Sequence, residues 1–227
     1  MATEVNTLHI RQHRSLLADV EKRILIWMAE RLPAKINSDH LTLLGLLSML
    51  LAGLSYWVAS WNKFALVFVV IFLATNWFGD SLDGTLARVR NQQRPRYGFY
   101  VDHVIDVFGT FFLLGGLALS GYMSPVIALG MLAAYLMVTS EVFLSTHTGG
   151  VFRLSFLKFG PTELRILLAI GTLYLLHKPW VELGPWGPFR LFDIGGIIAS
   201  AGLMLALIVS SIRNTIALYR AEPRSRR

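Results

Sequence analysis

The chain has 227 residues, of which 54% are hydrophobic and 15% are charged, and its mean hydropathy is +0.54. These values exclude an ordinary soluble domain and predict one compact membrane domain. The net charge is +7, but the basic residues are scattered between apolar segments, so we expect membrane lipids and no nucleic acid as partners. The chain contains no cysteine, which excludes disulfides and thiolate metal sites.

The N-terminal segment precedes the first apolar run. Between Arg14 and Leu32, apolar residues recur near helical spacing among charged residues. This pattern predicts an amphipathic helix at the membrane interface, and the alternative is a soluble helix packed on its own domain. Because mixed charges come first, we expect no cleavable signal peptide. We divide the single domain into a tail with the interfacial helix (1–36), a transmembrane bundle (37–219) and a basic tail (220–227).

The apolar runs predict an all-α, polytopic membrane protein with six transmembrane helices. The second helix continues beyond its apolar run to Arg88, and a basic loop over 89–97 follows. Pro, Gly and Trp are frequent in 178–190, which is typical of an interfacial loop. The predicted spans are about 41–59, 64–78, 98–119, 126–145, 161–177 and 194–218.

Two acidic pairs stand where the second span ends and the third begins. Asp80 with Asp83, and Asp102 with Asp106, have spacings that place each pair on one helix face. Carboxylates beside a membrane are costly unless they are neutralised. Oxygen ligands alone favour Mg²⁺ or Mn²⁺ over zinc or copper. The alternative is a set of ordinary interfacial carboxylates paired with the basic residues Arg88, Arg90, Arg94 and Arg96.

Small residues and an arginine separate the two pairs. Gly84 and Ala87 let a ligand approach the helix, and Arg88 is placed to meet a phosphate. The chain therefore carries, in order, Asp80-x-x-Asp83-Gly84-x-x-Ala87-Arg88-x9-Gly98-x-x-x-Asp102-x-x-x-Asp106. This order resembles the full signature of the CDP-alcohol phosphotransferase (CDP-alcohol phosphatidyltransferase) family, which comprises integral membrane enzymes of phospholipid synthesis.

The resemblance implies the reaction and the roles of the signature residues. A phosphatidyl or phosphoalcohol group would pass from a CDP-linked donor, such as CDP-diacylglycerol, to an alcohol acceptor, with release of CMP. Two Mg²⁺ or Mn²⁺ ions would assist, and homodimers are common in the family. The expected roles are metal binding by Asp80, Asp83, Asp102 and Asp106, general-base catalysis by Asp106, and binding of the CDP moiety by Gly84, Ala87, Arg88 and Gly98.

Three further residues are candidates for contacts with the acceptor or with a phosphate. His103 would point about 100° away from the preceding aspartate, and it either bonds across spans or touches the alcohol. Glu141 either joins the site or pairs with an arginine. Arg165 is a better candidate than Arg153 and Lys158, which also fit the positive-inside rule.

The distribution of basic residues predicts the orientation. Eighteen of the 21 Lys and Arg residues lie on one side of the predicted spans. By the positive-inside rule, both termini and the acidic cluster face the cytoplasm.

The acceptor stays open, because two similarities disagree. Asp102-His103-x-x-Asp106 resembles the variant in aminoalcohol transferases, whereas the short chain resembles bacterial enzymes that transfer a phosphatidyl group. A divalent-cation transporter or channel using the same acidic cluster is the non-enzymatic alternative. A conduction path needs polar residues along its whole depth, and here the carboxylates are confined to one end.

Overall fold

Helices form most of the protein, as the apolar runs predict. The computed structural model describes residues 18–149, 161–182 and 184–222. It is 82% helical, which confirms the all-α fold class. The seven helices in these residues are α1 (Ala18–Arg31), α2 (Ser38–Val58), α3 (Ala65–Val89), α4 (Pro95–Leu119), α5 (Pro125–Gly149), α6 (Pro161–Leu175) and α7 (Leu191–Ala221).

Five of the described helices are long and apolar enough to cross a membrane: α2, α3, α4, α5 and α7. They identify an integral membrane protein. The helix at the fifth predicted span, α6, has 15 residues, which is about 22 Å at 1.5 Å per residue and short of the roughly 30 Å of a bilayer core. The predicted count of six spans is therefore not confirmed.

Local signals set the helix starts. Asn37 accepts the backbone N–H of His40, and the His40 side chain accepts that of Asn37, which forms a capping box at the start of α2. The third predicted span begins earlier than expected, at Pro95 rather than near Gly98. Proline suits the first helical position because its fixed φ is helical and no donor is needed there.

The loop predicted over 178–190 contains two short strands. Strand β1 (Trp180–Glu182) pairs antiparallel with β2 (Pro188–Arg190), and Val181 lies opposite Phe189. The prediction of a loop missed these strands because three residues are too few for an alternating pattern to be recognised.

Helix α2 packs against both α3 and α4 and so fixes them relative to each other. The approach is close at glycines. A Cβ on Gly53 would lie 2.1 Å from the carbonyl oxygen of Phe112 in α4, and a Cβ on Gly79 would lie 2.6 Å from that of Leu41 in α2. Small residues thus allow the backbones to touch, and Gly79 brings the adjoining acidic part of α3 against α2.

The predicted amphipathic helix is described from Ala18 onward as α1. Its inner face contributes Leu25 and Ala29 to a cluster with apolar residues of α2 and α3. Its outer face leaves Trp27 exposed, with the guanidinium of Arg31 4.3 Å from the ring centroid. This helix therefore packs on the part of α3 that carries the acidic residues.

Candidate active site

An ion pair joins the first acidic residue of α3 to α6. Arg165 Nη2 donates to Asp80 Oδ2 at 2.5 Å, and the two side chains are only 18% and 26% exposed. Arg165 was predicted as a phosphate contact, and the structure places it at the acidic cluster. Its partner on α3 was not predicted.

Both carboxylate oxygens of Asp83 have hydrogen-bond donors. Oδ1 accepts the backbone N–H of Gly84, and Oδ2 accepts the hydroxyl of Thr42 at 2.6 Å. The Ser38 hydroxyl donates to the Asp83 carbonyl at 3.0 Å. The first turns of α2 thus hold this residue, and sequence reasoning missed both hydroxyl side chains because no motif marks them.

Some of the acidic side chains on α3 and α4 are close enough to repel one another. Asp83 interacts with Asp80 on its own helix and with Asp102 on α4. Tyr135 of α5 interacts with Asp80 and with Asp106, and its hydroxyl bonds to threonines of α4 and α5. Because such interactions weaken with distance, Asp83 of α3 lies near Asp102 of α4, and Asp80 and Asp106 both lie near Tyr135 of α5. Tyr135 was also missed by sequence reasoning.

This donor set suits a hard divalent cation. Like-charged carboxylates in one region favour a cation between them, and carboxylate oxygen is the ligand that Mg²⁺ and Mn²⁺ prefer. In the described part of the chain, however, no three His, Cys, Asp or Glu side chains form a group that could hold one ion. The chemistry of the donors therefore fits the cation, but the carboxylates are not already arranged as a complete ligand shell. The metal-binding roles of the four aspartates stay predictions.

The small signature residues differ in their surroundings. A Cβ on Gly84 would meet the Arg88 guanidinium at 3.5 Å, and among the described residues a Cβ on Gly98 would meet nothing within 4 Å. Arg88 is exposed and donates to Thr85 at 3.0 Å. A cavity of about 410 Å³ lies beside Ala87, and its other lining residues are Asn37, Ser38, Asp39, Leu86, Gln92, Gln93 and Arg94.

His103 lies in the contact between α4 and α5. Its Nδ1 is 2.6 Å from the Phe99 carbonyl oxygen, and its ring centroid is 4.2 Å from that of Phe99 and 5.3 Å from that of Phe143. The hydrogen bond to Phe99 lies within α4, and the ring contact with Phe143 reaches α5. The predicted hydrogen bond across spans stays a prediction. The contact with the alcohol stays a prediction.

Glu141 joins α5 to α7. Its carboxylate accepts hydrogen bonds from Ser210 at 2.9 Å and Asn214 at 2.7 Å. Its donors described here are therefore neutral side chains rather than the arginine that one of the two alternatives named. A role of Glu141 in the site stays a prediction. Arg153 and Lys158, the other candidates for phosphate contacts, lie outside the described residues.

Two of the four arginines in the alternative of ordinary paired carboxylates have other partners. Arg90 donates to the backbone carbonyls of Leu32, Pro33 and Ile36. Arg94 pairs with Asp39 at the start of α2. These two arginines thus fasten the connection between α1 and α2 and the start of α2.

Two comparisons with known proteins found a match, and a third did not. A family model described as CDP-alcohol phosphatidyltransferase matches residues 36–212. The solved structure of Mycobacterium tuberculosis phosphatidylinositol phosphate synthase (PgsA1) with CDP-DAG bound is similar, with a TM-score of 0.58 and 17% identity, covering 87% of this chain and 94% of that chain. A search of curated proteins finds no match. At this identity, the structural similarity shows a shared fold.

Proposed function

The chain belongs to the CDP-alcohol phosphatidyltransferase family. We therefore propose that it moves a phosphatidyl or phosphoalcohol group from a CDP-linked donor to an alcohol, releasing CMP. A transferase of phospholipid synthesis follows from the family. The observation that supports the finer proposal is the electrostatic proximity of Asp83 on α3 to Asp102 on α4, both within the matched residues. The family match gives no support to the cation-transporter alternative.

The donor is a CDP-linked lipid such as CDP-diacylglycerol. Support comes from the similar fold of a protein solved with CDP-DAG. In this chain, the cavity beside Ala87 and the open space beside Gly98 accept the CDP moiety, with Gly84 next to the Arg88 guanidinium. The exposed guanidinium of Arg88 binds a phosphate oxygen. The acyl chains remain along the apolar helices, in lipid.

Transfer requires neutralised phosphates and removal of the proton from the attacking hydroxyl. Asp80, Asp83, Asp102 and Asp106 would hold two divalent cations, Mg²⁺ or Mn²⁺, and these cations would stabilise negative charge on the phosphate oxygens. Asp106, exposed on α4, accepts the hydroxyl proton as general base. The oxygen–phosphorus bond forms as the bond from phosphorus to the CMP oxygen breaks.

Arg165 supplies a positive charge beside the acidic cluster. Its guanidinium is already within 2.5 Å of Asp80 and is partly exposed. It can therefore bind a substrate phosphate by turning away from that carboxylate, and arginine suits phosphate because it offers several donors in one plane.

We place the site and both termini on the cytoplasmic side, where most Lys and Arg residues lie. The nucleotide and a polar alcohol then enter from water. A homodimer is the proposed assembly, because it is common in the family.

The test is CMP release by the purified protein in detergent, with CDP-diacylglycerol and a panel of serine, glycerol phosphate, inositol phosphate and ethanolamine. We expect release with at least one acceptor, loss on chelation with EDTA, and loss in Asp106→Asn. Glu30→Gln, the same kind of change at an exposed carboxylate of α1, is the control and should retain activity. CMP release by Asp106→Asn at the rate of the wild type would contradict the assignment.

A further inference from the structure

A hydroxyl from α2 reaches the acidic cluster on α3. Thr42 Oγ1 lies 2.6 Å from Asp83 Oδ2 and 3.0 Å from the carbonyl oxygen of Ser38. One hydroxyl proton serves one acceptor at a time. The shorter distance and the negative charge both favour the carboxylate, since charge-assisted O–H···O⁻ bonds are typically about 2.5–2.7 Å long.

We propose that Thr42 is a positioning residue that orients the Asp83 carboxylate for divalent-cation binding. This inference rests on the proposed function, which makes Asp83 a metal ligand. The carboxylate is held on both sides, because Gly84 N–H donates to Oδ1 and Thr42 donates to Oδ2. Each oxygen has a second lone pair, so the carboxylate binds these donors and a cation together.

Orientation matters here because the neighbours of Asp83 carry the same charge. Asp80 and Asp102 both interact electrostatically with Asp83. Without a donor on Oδ2, their repulsion turns the Asp83 carboxylate away from Asp80 and Asp102. The Thr42 hydroxyl opposes that rotation.

The position of Thr42 is set by the fold. The capping box between Asn37 and His40 fixes the start of α2, and the close backbone approach at Gly79 fixes α2 against α3. Threonine is also stiff at χ1 because it is branched at Cβ. The hydroxyl therefore arrives at Asp83 at little further entropic cost, as expected of a group that supports a ligand.

The chain offers matched variants. Thr42→Val keeps the shape of the side chain but removes the hydroxyl, and Thr42→Ser keeps the hydroxyl but removes the methyl group. Thr75→Val repeats the first change on α3 at an exposed position, where the hydroxyl bonds to the Ile71 carbonyl of its own helix at 2.9 Å. These variants separate the donor, the methyl group and the generic effect of removing a threonine hydroxyl.

The experiment measures Mn²⁺ affinity of the full chain in detergent from the electron paramagnetic resonance signal of free Mn²⁺. For Thr42→Val we expect an affinity loss of about 10-fold or more, the lower end of the range for groups that orient metal ligands. Thr42→Ser and Thr75→Val should stay within about threefold of the wild type. In CMP release, Thr42→Val should need more Mn²⁺ for half-maximal rate and approach the wild-type rate at saturating Mn²⁺.

Equal Mn²⁺ affinity in Thr42→Val and the wild type would overturn the positioning role while leaving the proposed function intact. A loss of Mn²⁺ affinity of about 10-fold in Thr42→Ser would also overturn the positioning role, because the methyl group and not the hydroxyl would then matter. This outcome does not depend on whether Thr42→Val folds. A wild-type protein that binds no Mn²⁺ would overturn both this inference and the metal part of the proposed function.

Discussion

Removing Arg165 should destabilise the protein in a way that depends on divalent cations. In Arg165→Gln, Asp80 loses a partner at 2.5 Å at a site where the two side chains are only 18% and 26% exposed. Hydrogen bonds to charged groups contribute about 1.5–3 kcal/mol to the free energy of unfolding. For a chain of this size, each kcal/mol corresponds to about 2–4 °C in the melting temperature. We therefore expect a decrease of roughly 3–12 °C in EDTA.

A cation bound beside Asp80 replaces part of the lost positive charge. The decrease in melting temperature should therefore be smaller with saturating Mg²⁺ than in EDTA. Tryptophan fluorescence during heating measures the melting temperature in both conditions, because the chain contains six tryptophans.

The control is Arg94→Gln, which removes the ion pair with Asp39. There the side chains are 51% and 46% exposed, and exposed ion pairs contribute only about 0–1 kcal/mol. The melting temperature of this variant should change little. The reasoning would be refuted if both variants melted alike, or if Mg²⁺ left the effect of Arg165→Gln unchanged.

Three further predictions concern the scaffold. Tyr56→Phe removes a buried hydrogen bond of 2.6 Å to Thr172 and should lower the free energy of unfolding by about 1 kcal/mol; an unchanged melting temperature would contradict this. Gly79→Ala places a Cβ 2.6 Å from the Leu41 carbonyl oxygen, so it should separate α2 from α3 and abolish CMP release, and wild-type activity would disprove the close approach. Glu141→Gln removes the negative charge that accepts hydrogen bonds between α5 and α7, so it should lower the melting temperature. CMP release should stay within about threefold of the wild type. Loss of activity without a lower melting temperature would place Glu141 in the site.

The sequence was sufficient for the features that depend on local pattern. The apolar run after Phe64 and its continuation to Arg88 predicted α3, which ends at Val89. The spacing of the aspartates predicted which helix faces carry them, because helical periodicity fixes that geometry. The start of α4 was predicted late, because Pro95 was assigned to the basic loop over 89–97.

Contacts between distant segments were beyond sequence reasoning. The bond from Thr42 to Asp83 spans 41 residues and the pair of Arg165 with Asp80 spans 85. A threonine or tyrosine inside an apolar run has no periodic or motif signal, so Thr42 and Tyr135 were missed. Such contacts depend on how α2, α5 and α6 pack around the acidic helices, which periodicity does not determine.

The most direct test counts Mn²⁺ ions bound per chain in the presence of CDP-diacylglycerol, for the wild type and for single Asp→Asn variants on each acidic helix. We predict two ions for the wild type and weaker or fewer ions both for Asp83→Asn on α3 and for Asp102→Asn on α4. Binding that is lost with the substitution on one helix but unaffected by the substitution on the other would contradict a shared site.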